Sequence, residues 1–172
     1  ILSPGRTSTM PTNTPENTPS VDNGQVPTPK PIAVTLDRVE SIMKEFGITL
    51  AVAEKQGESA AVASANLNGV QVMFALLDSV LIVRADKQTD TTIADGDPRW
   101  HLACNQVNCF NFSAKALVMD RTEQAVVRSE KDILVAAGLN DIQLSVMLKN
   151  AIDHVLAIQD AVEQAAKEYA TD

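Results

Sequence analysis

The strongest constraint on the fold is a long amphipathic helix near the C-terminal end of the sequence. Its apolar residues recur at alternating steps of four and three: Leu144, Leu148, Ala151, Val155, Ile158, Val162, Ala165 and Tyr169. Asn140 precedes the stripe as an N-cap, and the polar side carries Lys149 with Asp153 and Glu163 with Lys167. Such a stripe needs a cover, either the sheet of its own domain or a second helix in a coiled coil. We predict the first arrangement.

A β-hairpin around Asn68 and Gly69 supplies part of that sheet. Both residues tolerate positive φ, so they favour a two-residue turn that fixes the pairing of the strands at 60–67 and 70–77. Opposite residues are then Leu67 and Val70, Ala65 and Val72, Ala63 and Phe74, and Ala61 and Leu76. Small residues on one strand therefore meet large residues on the other.

The remaining elements complete the predicted fold class. They are a helix over 36–46 capped by Thr35, a strand over 80–86, a polar loop over 89–96, a helix from Asp97-Pro98 to about Phe110, and two strands, over 116–119 and from 125 towards 135. The expected architecture is α+β, an antiparallel sheet with helices in the order α-β-β-β-α-β-β-α.

Two segments of different composition are predicted. Residues 1–30 hold six of the eight prolines and no aromatic residue, so we expect a disordered Pro/Thr-rich linker over 1–34 and one α+β domain over 35–172. The formal net charge of −8 argues against a nucleic-acid partner. Apolar runs are too short to span a membrane, and two cysteines without a disulfide pattern indicate a cytoplasmic protein.

No motif indicates catalysis, a metal or a cofactor. His101 and Cys104 share one face of the predicted middle helix, but Cys109 lies about 140° around the helix from Cys104, so the three cannot bind one ion. We expect both cysteines to be small core residues. The sequence also lacks a glycine-rich phosphate loop and a nucleophile elbow, so we expect a protein that is not an enzyme.

The second face of the sheet is unusually apolar. If the larger hairpin residues face the helices, Met73, Leu77, Val80 and Ile82 point to the opposite side, where a solvated sheet would carry polar residues. We take these four residues as a candidate interface with a second subunit or another protein. The alternative is a cover formed by the 89–96 loop or by the N-terminal linker.

The middle helix carries a resemblance to a known family. Its stretch Cys104-Asn105-Gln106-Val107-Asn108 is similar to the "CNxxN" pattern of the YbjN family, bacterial proteins described as sensory transduction regulators. The Asn-Gly hairpin before it, the strand from Leu81 to Arg84, and the opening of the last helix from Gly138 to Leu144 are similar too. The resemblance covers about residues 35–169 and implies a type III secretion chaperone-like fold.

That resemblance implies a non-enzymatic, chaperone-like or regulatory module that forms a homodimer and binds a segment of an unidentified protein. Asn105 and Asn108 would then be structural amides that satisfy backbone groups at strand ends or in loops. The competing class is a small-molecule sensor with a pocket between sheet and middle helix, lined by Trp100, His101 and Cys104. A third class, a domain that stabilises a longer polypeptide, depends on what precedes Ile1.

Overall fold

The computed structural model describes residues 30–53, 61–119 and 123–170. Within these residues it confirms the α+β prediction: three α-helices and an antiparallel sheet with strand order β1-β2-β3-β4-β6-β5. The elements are α1 (Leu36–Glu45), β1 (Ala51–Val52), β2 (Ala61–Leu67), β3 (Val70–Leu76), β4 (Val80–Thr92), α2 (Arg99–Phe110), β5 (Lys115–Met119), β6 (Gln124–Leu134) and α3 (Asp141–Glu168), with a 3₁₀ turn over Ile93–Asp95. The short β1 is an addition to the predicted order.

The hairpin has the predicted register. Asn68 and Gly69 both adopt positive φ, at 54° and 83°, and Leu67 lies opposite Val70, as the two-residue turn requires. The other three predicted pairs are also opposite one another. Phe74 is fully buried in the core under the helices, so the inner face of the hairpin is the predicted one.

The long helix α3 covers the sheet of its own domain, as predicted. Asn140 caps it through a hydrogen bond from the backbone N–H of Gln143 to its side-chain oxygen, and the Gln143 side chain accepts from the Asn140 N–H in return. The apolar stripe is buried from Leu144 to Ala165, whereas Tyr169, just beyond the helix, is 39% exposed. Burial of this stripe accounts for much of the core.

Strand β4 is longer than predicted, so the expected polar loop at 89–96 is wrong for residues 89–92. The strand continues to Thr92 because it pairs with β6 as far as Gln124, with an irregularity after Gln88. The hydroxyl of Thr89 donates to the carbonyl oxygen of Ala125 at 2.8 Å. Pairing with a distant strand therefore gives strand structure to a polar segment that lacks alternating hydrophobicity.

Helix α2 and the second half of α3 enclose a second, smaller core. It includes Ala103, Cys104, Val127, Ile158 and Val162. The helix begins at Arg99, one residue later than predicted, and the Asp97 side chain accepts from the Arg99 backbone N–H at 2.9 Å. This core joins α2 and α3 to strands β5 and β6.

Residues at the N-terminal boundary contact the domain. The predicted linker lies outside the described residues up to position 29, but Ile32 pairs with Leu139 as an isolated β-bridge. The Arg38 guanidinium donates to the carbonyl oxygens of Ile32, at 3.0 Å, and Ala33, at 2.7 Å. It also forms an ion pair with Asp141 at 2.6 Å. Contacts with the domain thus start before the predicted boundary at residue 35.

No helix within the described ranges is both long enough and apolar enough to cross a membrane.

Candidate functional site

The sheet has one face covered by helices and one face that no described helix covers, which we call the outer face. Residues of β3 and β4 alternate between the two: Phe74 and Val83 are buried against the helices, and Met73 and Ile82 lie on the outer face. The candidate interface predicted from the sequence therefore lies on this outer face.

An apolar strip runs across one end of the outer face. Met73, Val80 and Ile82 are half-buried, and Leu77, directly after β3, is 39% exposed. The strand register adds Val62 and Ala75, which lie opposite one another, and Leu134, which lies opposite Val80. Leu134 is 80% exposed, the most exposed member. We define the apolar strip as Val62, Met73, Ala75, Leu77, Val80, Ile82 and Leu134.

A ladder of ion pairs lies beside the apolar strip. Arg84, Glu130 and Lys115 are neighbours across β4, β6 and β5, and the Glu130 carboxylate contacts Arg84 at 2.7 Å and Lys115 at 2.6 Å. One step along the strands, Arg128 makes two hydrogen bonds to Asp86, at 2.7 and 2.6 Å. Lys115 also approaches Asp132 at 3.6 Å. The ladder holds three basic and three acidic side chains, so its charges cancel.

Three charged groups of the ladder have pKa values shifted in favour of their charged forms. Burial of Glu130 opposes its charged form, but the hydrogen bonds and positive charges of Lys115 and Arg84 outweigh burial and hold the Glu130 pKa below its usual value. The hydrogen bond to Glu130 raises the pKa of Lys115, and the hydrogen bonds to Asp86 raise the pKa of Arg128. The outer face therefore presents charges that are already paired beside apolar side chains, a composition suited to contact with protein.

The two asparagines of the CNxxN stretch have different surroundings. The Asn108 amide donates to the carbonyl oxygen of Ala116 at 2.8 Å and accepts from the Ala116 backbone N–H at 2.9 Å. Ala116 belongs to β5, an edge strand of the sheet, so Asn108 occupies backbone groups that a further strand would use. Asn105 is exposed on α2, and its structural role stays a prediction.

His101, Cys104 and Cys109, the three residues of the middle helix that are common metal ligands, differ in how far they are buried. Cys104 is a core residue, as expected, and burial raises the pKa of its thiol to about 11. The expectation that Cys109 is a core residue is wrong, because it lies on the exposed side of α2 near the end of the helix. His101 is also exposed. Cys109 thus differs from Cys104 as the spacing indicates, whereas His101 and Cys104, predicted to share one face, also differ in burial.

The pocket proposed from sequence for a small-molecule sensor differs from the clefts in the structure. A cleft of about 280 Å³ lies between β4, α2 and α3 and is lined by Trp100, but neither His101 nor Cys104 lines it. His101 and Trp100 together line a different cleft, of about 290 Å³, near the 3₁₀ turn. Cys104 packs in the second core instead.

Comparison with known proteins gives two matches. The sequence model of the YbjN family, described as "Putative bacterial sensory transduction regulator", matches residues 35–164. The crystal structure of YbjN from E. coli, "a putative transcription regulator", is similar with a TM-score of 0.58 and 12% sequence identity, over 81% of this chain and 97% of that chain. At that identity the likeness shows the fold. Among curated proteins, nothing matches the chain.

Proposed function

The chain belongs to the YbjN family, and on that premise we propose that its domain is a non-enzymatic regulatory module that acts by binding protein. The observation that carries the proposal is the apolar strip on the outer face. In an antiparallel sheet with one solvated face, polar residues would alternate there, whereas this face has six apolar side chains on neighbouring strands and Leu77 directly after β3. The module pairs with a second copy of itself through this strip.

Charge supports a second copy as the occupant. Two chains that each carry a formal net charge of −8 repel one another over most of their surfaces. The outer face is different, because its three basic and three acidic side chains cancel within the ion-pair ladder. A two-fold axis brings the same apolar strip of both copies together, and two sheets can pack face to face at about 10 Å.

The regulated protein segment then binds near the C-terminal end of α2. The largest exposed apolar side chains there are Phe110, 82% exposed at the end of α2, and Phe112, 98% exposed just after it. Exposed aromatic residues are the usual anchors of a protein contact. The acidic chain disfavours nucleic acid as this partner. We place the module in the cytoplasm, because its two cysteines are both free.

The solution mass of the 172-residue chain tests this proposal. Light scattering after size exclusion is expected to give twice 18.4 kDa for the natural chain. The double variant Met73→Lys, Ile82→Glu places two charges in the apolar strip and is expected to give the monomer mass with an unchanged circular dichroism spectrum.

A matched control introduces one lysine and one glutamate at exposed apolar positions outside the apolar strip. Ile142 and Val146 are exposed on α3, and Ile142→Glu with Val146→Lys is expected to keep the dimer mass. A natural chain that is monomeric at all concentrations contradicts self-association and leaves the apolar strip to a segment of another protein. A double variant that remains a dimer contradicts the location of the interface.

A further inference from the structure

The 280 Å³ cleft lies on the helix-covered side of the sheet, away from the apolar strip. It opens between β4, the first turn of α2 and the last turns of α3. Val127, Val162 and Ala166 line it, and each is at most 3% exposed, so they form an apolar floor. The indole of Trp100 adds a flat wall. The size and the apolar lining suit one small molecule.

A buried polar side chain holds this floor in place. Gln159 also lines the cleft and is 3% exposed. Its amide nitrogen donates to the carbonyl oxygens of Ala85, at 2.7 Å, and Val127, at 3.1 Å. These bonds tie α3 to β4 and β6, so the cleft is built on rigid elements of the fold.

One residue that lines the cleft carries a buried donor that lacks an acceptor. Trp100 Nε1 is buried and has no hydrogen-bond partner within the described residues. A buried donor without an acceptor is unfavourable, so such groups are rare in folded proteins.

The residues that line the cleft include three basic and two acidic side chains, and Asp97, outside the lining, also pairs with Arg99 at 2.9 Å. Lys87 pairs with Glu163, and Arg99 pairs with Asp90 at 2.7 Å. Lys167 lines the same cleft; its charge also acts on Glu163, but among the described residues it makes no ion-pair contact within 4 Å. On a chain of net charge −8, this local cation selects an anionic ligand.

We propose that this cleft binds a small carboxylate with a flat apolar body, its carboxylate next to Lys167 and its body between Trp100 and the apolar floor. A neutral ligand would leave Lys167 unpaired, and a cationic ligand would be repelled by it. The site goes beyond the protein-binding function, and its occupation does not depend on self-association.

Fluorescence of Trp100 tests the site, because Trp100 is the single tryptophan of the chain. Benzoate is the probe, and benzamide is its neutral counterpart of nearly equal shape. Benzoate is expected to change the emission with a saturating curve, and benzamide to bind at least tenfold more weakly. Equal curves for the two compounds, or a response to benzoate that never saturates, would overturn the proposal.

Two lysine variants locate the carboxylate. Lys167→Gln is expected to weaken benzoate binding at least fivefold and to leave the benzamide response unchanged. Lys149→Gln, on the exposed side of the same helix, is the matched control and is expected to have no effect. Equal benzoate affinities for the two variants would contradict the proposed site. Solution mass, measured on the same samples, reports the dimer separately, so either proposal can fail while the other stands.

Discussion

Replacement of Asn108 by alanine should destabilise the domain, because it removes the hydrogen bonds to the backbone N–H and C=O groups of Ala116. The Asn108 amide makes both of its described hydrogen bonds to Ala116, at 2.8 and 2.9 Å, and Ala116 is only 5% exposed. Because Asn108 itself is exposed and β5 is an edge strand, water can replace part of the lost hydrogen bonding, so we count one of the two freed groups as unsatisfied. A buried group left without a partner costs about 1–3 kcal/mol, and alanine regains roughly 0.6 kcal/mol of helix propensity in α2. With one group counted as unsatisfied, we expect a net loss of about 0.5–2.5 kcal/mol in the free energy of unfolding.

Urea denaturation followed by circular dichroism measures this loss. Asn105→Ala is the comparison, because it removes the same amide from the same helix at an exposed position and gains the same propensity. The Ala116 amide proton should also exchange faster in Asn108→Ala. If the free energies of unfolding of the two alanine variants differ by less than about 0.5 kcal/mol, a difference typical of surface changes, the hydrogen bonds from Asn108 to Ala116 do not stabilise the domain.

Two further predictions concern backbone strain and thiol reactivity. Gly138 has φ +75°, and a Cβ there would lie 2.7 Å from the carbonyl oxygen of Ile32, whereas Gly96 has φ +64° and open space. Thermal melts should therefore show that Gly138→Ala loses more free energy of unfolding than Gly96→Ala, for which a loss of about 1 kcal/mol is expected. Equal losses in the two variants would contradict the close approach of Ile32. With a thiol reagent at pH 8, Cys109 should react in the folded chain. Cys104 should react only after denaturation, because burial raises its pKa to about 11 and keeps it protonated; two equally fast thiols would contradict this.

The elements predicted best from the sequence have local signals. Asn68-Gly69 specifies its turn by the positive φ of both residues, and that turn alone sets the register of β2 and β3. Likewise, the Asn140 cap and the apolar period specify the start and the buried side of α3. Such features depend on residues a few positions apart, so one sequence suffices to find them.

The elements predicted least well depend on distant partners. The segment from Thr89 to Thr92 is polar and becomes strand through β6, as the pairing of Thr92 with Gln124 shows. The same pairing places Leu134 in the apolar strip and Glu130 in the ion-pair ladder. Alternation along β3 and β4 was enough to place Met73 and Ile82, but no local pattern reveals the alignment of β4 with β6.

The cancellation of charge on the outer face cannot be predicted from the sequence. Of the net charge of −8, none comes from the ladder, yet its members are scattered from Arg84 to Asp132 along the chain. Only the folded sheet brings the three acidic and three basic side chains together. The suitability of the outer face for a second acidic chain is thus a property of the fold.

Oxidation of methionine at different protein concentrations tests self-association through the outer face most directly. Met73 lies in the apolar strip, and Met147, 40% exposed on α3, is an internal control in the same chain. Under dilute peroxide, mass spectrometry should show that Met73 oxidises more slowly as protein concentration rises through the dimer range, while Met147 oxidises at a constant rate. A Met73 rate that is independent of concentration, in samples whose mass changes from monomer to dimer, would contradict the account.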